Sequence, residues 1–467
     1  MTFLKGNKKW LIIIAAFILA RVIVFSSFWA ASADKGGWAN FYGWSQPAQA
    51  VLTQKFHETC DWHPPLYYTF TSALFFLFKT QWSIYFFHLL FAFVSLLIGY
   101  KTIRLFLPEK IAFWAVLIWA LEPFWAWHNF LLASENLYIP LFLAAMYFLF
   151  VFLKKGTAKH IMLSFLFFGL AVLTRPTALL IPALISVVLI FLFVFRNKIK
   201  TGDAFFAKKF KEIVILLLAF NFLFWAVAGV WMVRNKLVYD RFSLAMITAT
   251  NVYYYNLPPL LALQKNISYQ EAYDMVAAQA ANDLGPSHVA AKDWNCTLYT
   301  NEELNKQFDY YDSESKKYIM SNLKDYVPLH LVKMAPFFIE SGYFDLYSAH
   351  TGEYSKPDIT AAFMKGDMGE VKEFFAGLDL KKSIYIFGML LWLAFFASSL
   401  AAVLYSFFKD KPSFLFFALS ALMAFYTAFL MSPFNFARYR LPLYVFFFAG
   451  FVYIIDKLWF AWKNRSK

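Results

Sequence analysis

Charge is scarce in this chain and cysteine scarcer still. Only 15% of its 467 residues are Asp, Glu, Lys or Arg, against about a quarter in an ordinary water-soluble domain. That shortfall excludes a soluble globular protein. The two cysteines, Cys60 and Cys296, exclude a thiolate zinc cluster and allow one disulfide at most. Both lie outside the apolar runs, and a single bridge or two separate thiols fit the sequence equally. No GxGxxG, Walker loop, HExxH or CxxC occurs, so soluble nucleotide chemistry and thiolate-zinc chemistry lack support. There is no internal repeat and no low-complexity tract.

What fills the space is hydrocarbon. The chain is 61% hydrophobic and 22% aromatic, with 59 Phe and 16 Trp. About 20 mostly apolar residues cross a bilayer, and on that measure the sequence predicts ten spans near 10–30, 82–100, 111–128, 136–153, 161–174, 177–195, 213–232, 384–407, 413–431 and 441–461. The first follows "KGNKK" as a signal peptide would, but it is too long for a cleaved leader and carries Arg21, so it reads as a retained helix. The net charge of +14 does not point to nucleic acid. Its lysines and arginines come in short blocks between alternate apolar runs: "KGNKK", "KTIRLFLPEK", "KKGTAKH", "RNKIKTGDAFFAKKFK", "KDK" and "KNRSK". Such parity is the positive-inside pattern and places both termini inside. Most acids fall in the alternate, outer loops.

Two outer segments exceed a turn. Residues 31–81 end in "PPLYYTFTSALFFLF", apolar but short, and read as a helix lying at the interface. Residues 236–383 are polar enough for a small, mainly helical domain, with "TNEELNKQF" opening as a capped helix, Thr300 followed by Glu303. The expected architecture is therefore an all-α polytopic membrane protein. It has an N-terminal membrane module over 1–235, an extracytoplasmic domain over 236–383 and C-terminal membrane helices over 384–467.

Ionisable residues collect at the outer ends of these spans. The first outer loop holds Asp34, Asp61 and His63; "LLASENLYIP" places Glu135 at the start of a helix; "LTRPTALLIP" places Arg175 in a tight turn; "WMVRN" and "FARYRLP" contribute Arg234, Arg438 and Arg440. Each has an ordinary explanation alone. Asp34 is a loop acid, Asp61 caps a turn, His63 is an interface histidine, Glu135 complements a helix dipole, and the arginines snorkel to headgroups. Their gathering at one leaflet is what needs a cause, because ionisable groups at membrane depth are costly and mark sites. Arginine, a permanently charged fork of donors, suits phosphate.

The ordered series "DWHPPLYY", "LLASENLYIPL", "LTRPTALLIP", "WMVRN", "TATNVYYYNLPP" and "ARYRLPL" resembles membrane glycosyltransferases of the GT-C class. More narrowly it resembles the family 39 group that holds protein O-mannosyltransferases and lipid A aminoarabinose transferases. The resemblance runs from about residue 10 to 460. It implies a GT-C-like bundle and a polyprenyl-phosphate sugar donor used at the outer face of a bacterial inner membrane. It also implies transfer to an acceptor that is protein, lipid or glycan, with inversion at the sugar. By the same resemblance Asp34 is the general base with Asp61 its rival. His63, Tyr67, Arg175, Arg234, Arg438 and Arg440 bind substrate, and Glu135 matches an acid that in some relatives helps hold a divalent metal. The competing reading is a transporter or flippase of lipid-linked sugars, against which stands the lack of an inverted repeat.

Overall fold

The computed structural model describes residues 8–32, 63–196, 204–285, 300–352, 379–433 and 437–465, with isolated positions between 369 and 377. Asp34, Asp61 and both cysteines lie outside the described residues. Those described form helices and their connections, with no strand among them, and the protein is an all-α polytopic membrane protein.

In chain order the first helices are α1 (Lys8–Ser32), α2 (Pro65–Phe78), α3 (Trp82–Arg104), α4 (Glu109–Leu121), α5 (Pro123–His128), α6 (Glu135–Lys155) and α7 (Ala158–Val172). A 3-10 turn, Pro176–Ala178, leads into α8 (Ile181–Val194), followed by α9 (Phe210–Tyr239). The long polar segment folds as α10 (Ile247–Lys265), α11 (Tyr269–Leu284), α12 (Asn301–Ser321), α13 (Leu323–Val332), α14 (Ala335–Ile339) and α15 (Tyr343–Thr351). The chain then runs through α16 (Leu380–Lys409), α17 (Lys411–Met431), a second 3-10 segment Ala437–Leu443, and α18 (Tyr444–Arg465).

Among the described residues, eight helical stretches are long and apolar enough to cross a membrane. The expected spans at 111–128 and 161–174 are the two that fall short. The first breaks into α4 and α5 because Pro123 cannot continue the helix and holds Glu122 extended, at φ −65° and ψ 117°. The second, α7, has only 15 residues, about 22 Å of helix against a hydrocarbon core of about 30 Å. It is bounded by Gly156, left-handed at φ +67°, and by the turn before Pro176.

One core runs through the bundle. Helix α6 is its most enclosed member, with 83% of its apolar window buried, and packs against α3, α7 and the second 3-10 segment. Helix α18 packs against α4 and α16. Basic residues gather at one end of the bundle: Lys101 and Arg104 close α3, and Lys154 and Lys155 close α6. There Lys9 pairs with Glu109 at 2.7 Å and Lys110 with Asp456 at 2.9 Å. The opposite end holds the start of α6, the end of α7 and the Ala437–Leu443 segment.

A second, smaller core joins α10, α11 and α12, with Tyr253, Tyr254, Phe308 and Tyr311 buried together. Two of its helices begin on full capping boxes. Thr300 and Glu303 exchange side-chain-to-backbone bonds at the start of α12, and Ser268 and Glu271 do so at the start of α11. Each box satisfies N–H groups that the first helical turn leaves without partners. Helix α13 accommodates Pro328 and runs on to Val332, and α14 starts afresh with Pro336 in its first turn.

Candidate functional site

Four segments distant in sequence meet at the end of the bundle away from the basic blocks. Glu135 is the first residue of α6 and is buried, where the dipole of that helix favours its negative charge. Arg175 sits in the turn after α7. Pro176 confines it to extended backbone, φ −148° and ψ 130°, and from there its guanidinium forms an ion pair with the Glu135 carboxylate. The same nitrogen, Nη1, also donates to the Ser134 hydroxyl at 3.4 Å. Arg438, from the 3-10 segment, approaches the same Glu135 oxygen at 3.9 Å.

Tyr439 lies between the two cations. Its ring centroid is 5.2 Å from the Arg175 guanidinium carbon and 5.0 Å from that of Arg438, and Arg438 donates to its hydroxyl at 3.1 Å. A cavity opens beside this cluster. It is lined on its polar side by Glu135, Arg175, Thr177 and Arg438, and on its apolar side by Phe142 and Leu443. Two guanidiniums face one carboxylate, so the described part of the site carries a net positive charge.

His63 belongs to the same corner. The backbone N–H of Leu66 donates to the carbonyl of Leu173 at 2.8 Å, pinning the start of α2 to the turn that carries Arg175. Burial, with Arg175 and Arg438 adding to it, pushes the His63 imidazole down to about 3, so its ring is neutral at physiological pH. Tyr67 stands one layer behind. Its fully buried hydroxyl bonds to His88 at 3.2 Å, and it lies within electrostatic range of Glu135.

The remaining arginines take other places. Arg440 is fully buried and faces away from the cluster: its guanidinium stacks 3.5 Å above the Trp392 ring and donates to the carbonyls of Phe337 and Glu340. A 3-10 segment advances about 120° per residue, so residues two apart point in divergent directions, and Arg438 and Arg440 part company for that reason. Arg234 stacks on Trp231 at 4.6 Å and Tyr239 at 5.0 Å, and bonds to Asn235 at 2.9 Å. Trp231 in turn packs on the group around Tyr67 and Tyr68, which places Arg234 on the flank of the site.

The sequence reading passed over Tyr439, although it sits inside the motif that supplied Arg438, and over His128. His128 closes α5, is buried, and lies within electrostatic range of Glu135, Arg438 and Arg175. Glu122 is not part of the site; it caps α5, accepting from the Trp125 N–H at 2.6 Å. A divalent metal at Glu135 would need partners beyond the described residues, because Asp34 and Asp61 lie outside them. No three His, Cys, Asp or Glu side chains gather among the described residues, and the Glu135 carboxylate faces two guanidiniums.

Residues 62–225, about a third of the chain, match the family of dolichyl-phosphate-mannose-protein mannosyltransferases. No curated protein sequence matches the chain. Among solved structures, the oligosaccharyltransferase AglB of Archaeoglobus fulgidus, in complex with an inhibitory peptide and a dolichol-phosphate, aligns over 97% of this chain and 52% of its own at 14% identity, with a TM-score of 0.44. The apo form of the Archaeoglobus fulgidus oligosaccharyltransferase aligns over 99% and 52%, at 14% identity and a TM-score of 0.44. Its complex with Zn and sulfate aligns over 95% and 50%, at 13% identity and 0.42. The chain thus spans about half the length of these structural relatives. The family match covers His63, Glu135 and Arg175 of the cluster, and over that stretch the chain is similar to dolichyl-phosphate-mannose-protein mannosyltransferases.

Proposed function

We propose that the protein moves a sugar from a polyprenyl-phosphate donor to an acceptor at the outer face of a bacterial inner membrane, with inversion at the anomeric carbon. The observation that carries this reading is the convergence of Arg175 and Arg438 on a single carboxylate, Glu135. In this reading Glu135 orients the two guanidiniums, and their remaining N–H donors hold the donor phosphate. A phosphate departs as a weak base, so the reaction needs no general acid. The arginines stabilise the charge that grows on the leaving oxygen. One carboxylate of the first outer loop, Asp34 with Asp61 as its rival, takes the proton of the acceptor while the acceptor attacks from the face opposite the phosphate. His63, neutral beside two cations, fills the corner without adding charge. The acceptor is a protein, a lipid or a glycan.

The orientation rests on the basic helix ends opposite the cluster, which the positive-inside rule assigns to the cytoplasm. The test is native mass spectrometry of protein extracted gently from its host membrane. Wild type is expected to carry a polyprenyl phosphate or its glycoside, and Arg175→Ala and Arg438→Ala to lose it. Ordinary phospholipid alone in all three would overturn the donor assignment.

A further inference from the structure

One buried polar atom beside the cluster has no use in the scheme above. The His128 ring is 1% exposed. Its Nδ1 bonds to the Phe124 carbonyl at 3.2 Å, and a carbonyl can only accept, so Nδ1 carries the proton in that bond. In the neutral ring Nε2 is then a bare lone pair. This Nε2 is enclosed and has no hydrogen-bond partner among the described residues. The ring is held by aromatic contacts with Phe124, at 4.5 Å between centroids, and Trp127, at 5.2 Å. Burial disfavours a charged ring there, with Arg438 and Arg175 acting in the same direction and Glu135 against them. A fixed, neutral acceptor without a donor costs about 1–3 kcal/mol of desolvation, and such groups in native proteins call for an explanation.

We infer that His128 Nε2 accepts a hydrogen bond from a hydroxyl of the sugar on the lipid-linked donor. The chemistry of the candidates selects this one. A phosphate at neutral pH and a polyprenyl chain offer no strong donor, and the two guanidiniums already face Glu135 and the phosphate seat. The group bonded directly to that phosphate is the sugar, whose hydroxyls are the nearest donors the ligand has. His128 is thus a specificity residue: it adds affinity for the glycosylated lipid and none for the bare phosphate. The inference rests on the proposed polyprenyl-phosphate donor.

The experiment compares lipids retained by full-length protein purified from its host membrane, in an Asp34→Asn/Asp61→Asn parent that does not turn the donor over. The readout is the ratio of glycosylated to bare polyprenyl phosphate by native mass spectrometry. The expected result is a ratio about tenfold lower in His128→Phe, the equivalent of one hydrogen bond, with bare polyprenyl phosphate still retained. That retained lipid reports an intact fold and phosphate seat. His128→Gln, which keeps an acceptor at similar reach, recovers part of the ratio. An unchanged ratio in His128→Phe, or loss of both lipids together, overturns the sugar contact, and the first of these outcomes transfers the hydroxyl to the acceptor. A parent holding bare phosphate alone also overturns it, while leaving the donor class standing. A parent holding neither lipid overturns the donor class itself.

Discussion

Arg438 and Arg440 share a motif, yet the structure gives them opposite surroundings, and this contrast is open to measurement. Truncating Arg440 leaves the carbonyls of Phe337 and Glu340 without donors and removes a cation from the face of Trp392. Arg440→Ala should therefore cost roughly 3 kcal/mol of stability, seen as a lower thermal midpoint in detergent or nanodiscs. Arg438→Ala should hold that midpoint within about 1 kcal/mol, a modest loss for one partly buried ion contact, and lose donor retention instead. Equal loss of midpoint in the two variants would refute the division. His63 supplies a pH test. Its ordinary value near 6.5 is pushed down to about 3, so between those limits the unfolded chain takes up a proton that the folded site refuses. The sign follows: the stabilisation is complete above about 6.5 and erodes as pH falls toward 3. Between pH 7 and pH 5 the loss attributable to His63 is about 2 kcal/mol. The thermal midpoint of His63→Gln should fall less than that of wild type over the same range, the other histidines being common to both. Parallel curves would exclude His63 as the source. The sequence pointed to the corner because His63, Glu135 and Arg175 each stand beside a proline or a helix start that fixes them locally. The parting of Arg438 from Arg440 was not readable, because it depends on a 3-10 pitch in a segment where either a strand or an α-helix fits the residues.

At the scale of elements, the turn between α5 and α6 is what delivers Glu135, and it is held from a distance. Arg21, in the middle of the first membrane helix, is 4% exposed. It neither snorkels nor forms a hydrogen bond with a carboxylate. Its Nε and Nη2 donate to the side-chain oxygen of Asn129 at 3.1 and 3.0 Å, and Nη1 donates to the Ala120 carbonyl at 2.5 Å. The rings of Phe17 and Trp125 lie 3.9 and 4.4 Å from the guanidinium carbon. Asn129 passes the chain on to Asn136 at 3.1 Å, and the Asn136 amide reaches the carbonyls of His128, Leu131 and Ala133 at 2.8, 3.2 and 3.3 Å. Glu135 precedes Asn136, so a network that begins on α1 ends beside the site. Arg21→Met keeps the aliphatic stem but leaves Asn129 and Ala120 without donors. The expected cost is about 2–4 kcal/mol, read as a lower thermal midpoint. A midpoint within 1 kcal/mol of wild type, evaluated on the same scale, would mean that water or lipid replaces the arginine. An arginine inside an apolar run was conspicuous in the sequence; its amide partner was not, since Asn129 lies 108 residues away and only packing brings the two together. The caps were readable for the converse reason: Thr300 and Glu303, like Ser268 and Glu271, complete their bonds within one turn.

For the whole molecule, the physical constraint is that charge must be sorted to the two sides of a bilayer. Among the described residues eight stretches are long and apolar enough to cross a membrane, and the shorter α4–α5 pair and α7 each carry the chain from one end of the bundle to the other. Fold class was readable because hydrocarbon length and loop charge are local properties summed along the chain. The breaking of 111–128 was not, because a proline in a membrane helix is tolerated where neighbours rebond the freed backbone. The same sorting of charge carries a prediction about sides. The Lys/Arg-rich helix ends, where Lys154 and Lys155 close α6, lie opposite the cluster, and the exposed Ser313 belongs to α12, in the smaller core. In a background with Cys60 and Cys296 replaced by serine, Ser313→Cys in right-side-out membranes should react with a membrane-impermeant maleimide. Lys155→Cys should react only after the membrane is opened. Labelling of both positions from one side, or of Lys155→Cys alone, would invert or break the topology. Either result would also remove the donor seat from the outer leaflet, since Glu135 and Lys155 stand at opposite ends of the same buried helix.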